Sequence, residues 1–285
     1  VAMKKHLSTV ILGTLLLIIS ILSLLIGVMD LDLSRLLSGG GGMERSIFLL
    51  ARLPRLLAIL CTGVGMSVSG LIMQTTLNNS MASPSTLGVS NAAVFGANLS
   101  IIAFAGGFLS TGNNLSSFDA GANPYATSLL AFVFATASVL LILGLCTVRS
   151  FSPNVVVLAG MAIGSVWTAA TTILQFYATD VGLSAAVVWS FGDLGRATYR
   201  TDAIMAVTVL VGFVFFMLMS WKYNALLSGE ATAKTMGIRV ERLRFVSLLL
   251  ASVITAVCVS FLGVIGFVGI ICPLVTKTLL GQDHR

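Results

Sequence analysis

The sequence predicts an all-α polytopic membrane protein, and three observations carry that expectation. Charged residues make up 9% of the 285-residue chain, where a soluble domain has roughly 25%. Apolar residues make up 57%, and the mean hydropathy is +1.03. Crossing roughly 30 Å of hydrocarbon takes about 20 predominantly apolar residues, and at least six stretches reach that length. Residues 1–285 read as one transmembrane domain.

The spans follow in order. The first, near 7–29, comes after Lys4 and Lys5; its apolar run is longer than the about 7 to 15 residues of a signal core and no small-residue cleavage pattern follows, so it is kept as a span. The second, near 56–76, starts behind Arg52-Leu53-Pro54-Arg55, with Pro54 suited to a first helical turn. It carries Gly63, Gly65, Ser67, Ser69 and Gly70, the small residues that let membrane helices approach closely. Asn78 and Asn79 mark a turn before the third span, near 88–110. The Gly/Asn/Ser-rich segment 111–126 reads as a flexible connection without an assigned role. Spans near 127–148, 155–177 and 203–221 come next. Two shorter or Gly/Pro-interrupted stretches, near 245–262 and 264–280, bring the expected number to eight.

With the N-terminus in the cytoplasm, ten basic residues fall on the inner side and six on the outer, while the acids divide three inside and seven outside. That asymmetry is the positive-inside pattern. The pI of about 9.5 then reflects orientation and not nucleic-acid binding. Cys61, Cys146, Cys258 and Cys272 sit in apolar spans without a CxxC pair, and His6 and His284 lie at opposite ends of the chain. No metal, disulfide framework or histidine-based catalysis is expected from such material. No acidic or basic residue lies near the middle of a span, where ion-coupled carriers keep one. The phosphate loop G-x-x-x-x-G-K-[ST] does not occur either. A pump of this kind draws its energy from a partner, and the chain is not read as an enzyme.

Between the sixth and seventh spans, residues 222–244 form a long cytoplasmic segment. It reads as two short helices broken at Gly237, with Ser228 as a cap for the helix starting at Gly229-Glu230. Leu226, Leu227, Ala231, Ala233 and Met236 offer a modest apolar face. Such a pair either sits in a groove on another protein or is an ordinary solvated loop.

Four blocks in order give the chain a specific resemblance. They are Arg52-Leu53-Pro54-Arg55 with the small-residue helix to Gln74, Pro84 and Leu87-Gly88-Val89-Ser90; Trp189-Ser190-Phe191-Gly192; Leu227, Ser228, Gly229, Glu230, Ala233, Met236, Gly237 and Ile238; and Gly263 to Ile270 with Pro273, Gly281 and Asp283-His284-Arg285. This order resembles the FecCD family, permease subunits of binding-protein-dependent ABC importers for iron-siderophores, haem and vitamin B12. Ser228 stands where the family commonly has glycine or another small residue, Leu274 where it has histidine, and Lys277 where it has arginine.

The resemblance implies a ten-span fold whose last two spans have no counterpart before Arg285, as in a fragment or a shortened gene. It implies that the 222–244 loop, with Lys234 among its members, docks into ATP-binding cassette ATPase subunits, which hold ATP and magnesium while this chain binds no cofactor. It further implies an extracytoplasmic substrate-binding protein, a second permease subunit of the same or a related kind, and the inner membrane of a bacterium. Arg52 and Arg55 then either meet acids on the binding protein or snorkel to lipid phosphates. Ser69, Gln74, Asn78, Asn79, Thr168 and Gln175 either line a route for a bulky chelate or bond helix to helix. An iron-siderophore is the expected cargo, with haem or cobalamin as family alternatives and an ion-coupled secondary transporter as the competing class. A faint repeat, 52–70 echoed by 242–263, would run in opposite directions in this topology.

Overall fold

The computed structural model describes residues 2–27, 42–104, 124–148 and 152–281. Among them the chain forms α1 (Ala2–Leu25), α2 (Gly42–Thr76), α3 (Val89–Phe104), α4 (Pro124–Val148), α5 (Pro153–Phe176) and α6 (Asp180–Ser190). A short 3₁₀ turn at Leu194–Arg196 leads to α7 (Tyr199–Leu218), α8 (Ser220–Leu227), α9 (Glu230–Thr235), α10 (Val240–Leu262) and α11 (Val268–Leu280). Six of these helices, α1, α2, α4, α5, α7 and α10, are long and apolar enough to cross a membrane. The expected Asp283-His284-Arg285 motif and most of the 111–126 connection lie outside the described residues.

α10 is the axis of the bundle. It packs against α2, α3, α4 and α7, and 67% of its apolar window is buried, against 0% for α1. α1 turns its leucines and isoleucines outward, as a lipid-facing helix should. α2 and α10 are antiparallel. At one end, here the loop end, Thr76 of α2 meets Arg244 near the start of α10. At the far end Asp193 donates its amide to the Leu262 carbonyl at 2.8 Å, and Arg55 lies against Gly195. The opposed directions expected for segments 52–70 and 242–263 are those observed.

Three elements differ from the sequence expectation. The third span is short: its α-helical part covers only Val89–Asn98 before a π-helical turn at Leu99–Phe104, and 105–110 are not among the described residues. α6 was not expected at all, since 11 residues rise only about 17 Å, too little to register as a span. Its start is local chemistry: the Thr179 hydroxyl accepts the Gly182 amide at 3.2 Å. The last stretch is helical only from Val268, because Gly263 (φ 80) and Phe267 (φ 65) hold 263–267 out of helical geometry.

The α-helix of the second span starts at Leu53 with Pro54 in its first turn, as the sequence predicts, but it continues a helical run already under way. Helix precedes it from Gly42, and a π-helical turn at Phe48–Arg52 absorbs the proline. In that turn Leu53 donates its amide to Phe48 O, five residues back. The next amide in the same register would serve Leu49 O, but it belongs to Pro54, which has none. The Tyr199 hydroxyl donates to the Leu49 carbonyl instead. Thus a backbone acceptor orphaned by proline is satisfied from α7, and α2 passes through without breaking.

The small residues of α2 mark backbone contact, as their composition suggests. A Cβ on Gly70 would fall 1.8 Å from the Gly269 carbonyl oxygen of α11. Val264 O would lie 2.7 Å from a Cβ on Gly192, and Trp189 O 2.6 Å from one on Gly263. The two far-end motif blocks are therefore one crossing of bare backbones. Gly63, by contrast, has nothing within 4 Å of its Cβ position. Gly70→Ala should push α11 off α2 and cost about 1–3 kcal/mol or more of stability, while Gly63→Ala should stay within about 0.5 kcal/mol. Thermal unfolding of the two detergent-solubilised variants checks this; equal midpoints would refute the close approach.

Candidate functional site

At the loop end, α8 and α9 form a compact knob. α8 stops at Ser228, and Gly229 takes φ 111 and ψ 150, a region essentially restricted to glycine. The helix break falls here and not at Gly237, because Gly229 is the residue that leaves helical space between the two helices. Ser228 makes no cap bond either: Gly229 is the N-cap, without a side-chain bond. Gly237 (φ 80) ends α9 in a Schellman motif, with Gly237 N donating to Lys234 O at 3.0 Å and Ile238 N to Ala233 O at 3.1 Å. Ala233 and Ile238, the apolar pair that accompanies such a motif, are both buried in the core. This accounts physically for the spacing Ala233, Gly237, Ile238. On the outer side Leu227 (41% exposed) and Met236 (59%) face away from the bundle, beside Gly229, Glu230 and Lys234, all exposed.

Two bonds anchor the knob. The Tyr223 hydroxyl and Ser247 hydroxyl lie 2.7 Å apart in a buried contact between α8 and α10. Burial pushes the Tyr223 phenol up to about 12, with Ser247 pulling the other way, so it stays neutral. The second anchor is Arg244, 3% exposed. Its Nε donates to Thr76 O at 2.9 Å, and one terminal nitrogen reaches Glu230 at 3.2 Å. The other Glu230 oxygen pairs with Lys234 at 3.1 Å. Lys234, and then Arg244, hold the Glu230 carboxyl below its usual range against an opposing desolvation. An exposed i,i+4 pair contributes only about 0.3–0.5 kcal/mol; the buried arginine is the contact that positions α9. It was counted as a loop charge from sequence because three basic residues and Glu241 crowd 239–244. Beside the knob, Trp221, Lys222, Ile238, Arg239 and Arg242 line a groove of about 470 Å³.

At the far end the two sequence-singled arginines separate. Arg52 donates to Leu24 O at 2.7 Å and Leu25 O at 2.8 Å, capping the C-terminus of α1. Arg55 is exposed. Both line a cavity of about 440 Å³ with Asp193, Leu194 and Gly195.

The expected path residues have identifiable local partners. Gln74 accepts from Lys277 at 2.9 Å and donates toward Ile270 O at 3.4 Å, joining α2 to α11. Asn78 (φ 45) and Asn79 build the Schellman end of α2, with Asn79 N on Gln74 O at 3.1 Å and Asn79 Oδ1 accepting from Met81 N at 2.9 Å. Gln175 donates to the buried Asn98 at 3.1 Å. Thr168 is exposed and bonds back to Gly164 O at 3.0 Å. Ser69 is fully buried, and its hydroxyl has no partner among the described residues. The sequence reading missed Asp202, treated as a loop acid: it lies in the first turn of α7, 4% exposed, with both oxygens unpartnered among the described residues.

A bundle of apolar helices, six of them long enough to cross a membrane among the described residues, defines a multi-pass membrane fold. The chain belongs to the FecCD transport family, whose model matches residues 15–285. It is 44% identical over 235 residues to a Methanocaldococcus jannaschii protein described as an ABC transporter permease, covering 82% of this chain and 66% of that one. It is 32% identical over 275 residues to the Escherichia coli ferric enterobactin permease, covering 95% and 78%. A solved metal-chelate type ABC transporter in an inward-facing conformation superposes with TM-score 0.78 at 26% identity, covering 97% of this chain and 83% of that one. Other relatives are named for molybdate, cobalamin and haemin. The chain spans about two thirds of the length of the first of these relatives.

The lowered Glu230 pKa sets a pH window. The stabilising contact is fully present above the unfolded carboxylate range and is lost as pH falls through the still lower folded value. A spin label at Thr235→Cys should therefore stay immobilised through mildly acidic pH and loosen only below the ordinary carboxylate range. In Glu230→Gln it should be looser at neutral pH and insensitive to further acid; identical profiles would refute the pairing.

Proposed function

We propose that the chain is the permease subunit of a binding-protein-dependent ABC importer. It works as a homodimer or with a related permease in a bacterial inner membrane, N-terminus in the cytoplasm. The observation that carries this is the α8–α9 knob: a glycine-shaped helix pair, closed by a Schellman motif and tied to the bundle core, which turns Leu227 and Met236 outward. ATP-binding cassette ATPase subunits receive Leu227, Ser228, Gly229, Glu230, Lys234, Met236 and Gly237, while Ala233 and Ile238 hold the knob to the bundle. ATP and magnesium bind on those subunits. α1 ends at the far end, beside Arg52, so its start and the knob share the other side, the arrangement a cytoplasmic knob requires. At the far end an extracytoplasmic binding protein docks through Arg55, exposed at the rim of the cavity, with Arg52 beside it holding α1.

An iron-siderophore complex is the proposed cargo. The ferric enterobactin relative, the iron chelatin permeases and the Fe(3+)-citrate permease among the relatives support it. Uptake of radiolabelled ferric enterobactin, ferric citrate, haemin, cobalamin and molybdate by cells carrying the full transporter decides the class. Uptake of cobalamin or molybdate without a ferric chelate would overturn the cargo, and uptake driven by an ion gradient without the ATPase would overturn the transporter class.

Two variants separate the ends. Gly237→Val forces a β-branched residue to φ 80, strained by about 1–2 kcal/mol or more, although nothing lies within 4 Å of its Cβ position. It should insert normally and keep ATPase binding weakened, with transport lost; wild-type uptake at normal expression would refute the coupling role. Arg55→Glu should slow binding-protein association most at low ionic strength. Arg52→Glu should instead lower thermal stability by uncapping α1. Salt-independent association in Arg55→Glu, at the wild-type rate, would remove Arg55 from the interface.

A further inference from the structure

The fork of Arg244 sits where two helices from different parts of the chain have their ends. We infer that Arg244 is a positioning residue that transmits displacement of the α9 knob to the end of α2, and through Gln74 and Lys277 to α11. The inference rests on the reading that the knob receives an ATPase, and deepens it by naming the route inward.

α9 has six residues and cannot act as a lever alone. Its carboxylate, Glu230, lies 3.2 Å from one nitrogen of Arg244, while Nε of the same guanidinium holds Thr76 O at 2.9 Å. Guanidinium is planar, and its donors keep a fixed fork, so two acceptors held by it move together. Thr76 O is among the last carbonyls of α2, which have no intrahelical donor and lie at the negative end of the helix dipole. Both acceptors are thus electrostatically matched to one buried cation.

The motion has somewhere to go. Two residues before Thr76, Gln74 accepts from Lys277 at 2.9 Å and donates toward Ile270 O. One turn earlier, Gly70 presses on Gly269. α2 and α11 are therefore joined along the loop-end half of their contact. α11 itself hangs on the non-helical segment 263–267, with left-handed Phe267 immediately before it, so it can swing without bending α10. The knob's other tie, Tyr223 to Ser247, runs to α10, and the same ring meets Phe216 of α7 edge-on.

Hydrogen exchange on the permease in complex with its co-purified ATPase subunits, nucleotide-free against ATP and vanadate, tests the route. In the wild type, amides in 228–238, 74–80 and 270–281 should all change protection. In Arg244→Lys, which keeps one charge but loses the fork and lies outside the docking face, the response of 228–238 should persist while those of 74–80 and 270–281 are lost. Thr76→Ala keeps the carbonyl and should respond as wild type, a result that loss of folding could not mimic. Wild-type responses at 74–80 and 270–281 in Arg244→Lys would overturn the relay. Absence of any response at 228–238 in the assembled wild-type complex would overturn the docking reading itself, and the relay with it.

Discussion

A buried guanidinium at the end of the central helix is the constraint on which the loop end depends. An unpaired charge taken from water costs several kcal/mol, and Arg244, 3% exposed, is held by Thr76 O on its buried side and by Glu230 at the solvent edge. That requirement fixes three things at once: where α2 ends, how α10 begins, and how the knob sits. The Asn78 and Asn79 turn places Thr76 in the last turn of α2, and the Gly237 motif delivers the chain into α10.

The far end is organised by a different economy, that of small residues. In hydrocarbon a non-helical backbone survives only when protein covers it. Residues 263 and 264 meet that condition through Gly192 and Gly263, whose missing side chains let Val264 O and Trp189 O lie against bare backbone, whereas Gly266 and Phe267 are exposed. Asp193 then closes the joint on Leu262 O. The same principle acts at Gly70 and Gly269. Close packing of backbones, more than side-chain interdigitation, is what permits a short α11 to stand where a full span would otherwise be needed.

Charge is used sparingly, and three of the cations serve helix ends. Arg52 caps α1, Arg244 caps α2, and Lys277 reaches Gln74 from the last turn of α11. Asp202 is the exception, an acid in a helical first turn where the dipole favours it, yet with neither oxygen bonded among the described residues. The later turns of α2 and α10, from Leu56 and Phe245 onward, carry no charged residue.

The class of fold and the places where glycine shapes the chain were legible from sequence. Twenty-residue apolar runs have no other stable use, and the glycines at 229, 237, 192 and 263 are recorded in the letters themselves. The Asn78-Asn79 turn was equally plain. Which polar residues face a path and which bind helices was not legible, because one asparagine or glutamine serves either purpose until its neighbour is known: Gln74 meets Lys277 across 203 positions and Gln175 meets Asn98 across 77. Pro54 does stand in the first turn of the α-helix Leu53–Thr76, but the helix that runs into it through the π-turn at Phe48–Arg52 was not legible, since the Leu49 carbonyl there meets Tyr199, 150 residues away. Arg244 read as one more cation in a basic loop. Only the antiparallel meeting of α2 and α10 turned it into a buried junction, since local pattern sets where a helix can form but long-range packing decides which of its charges lose water.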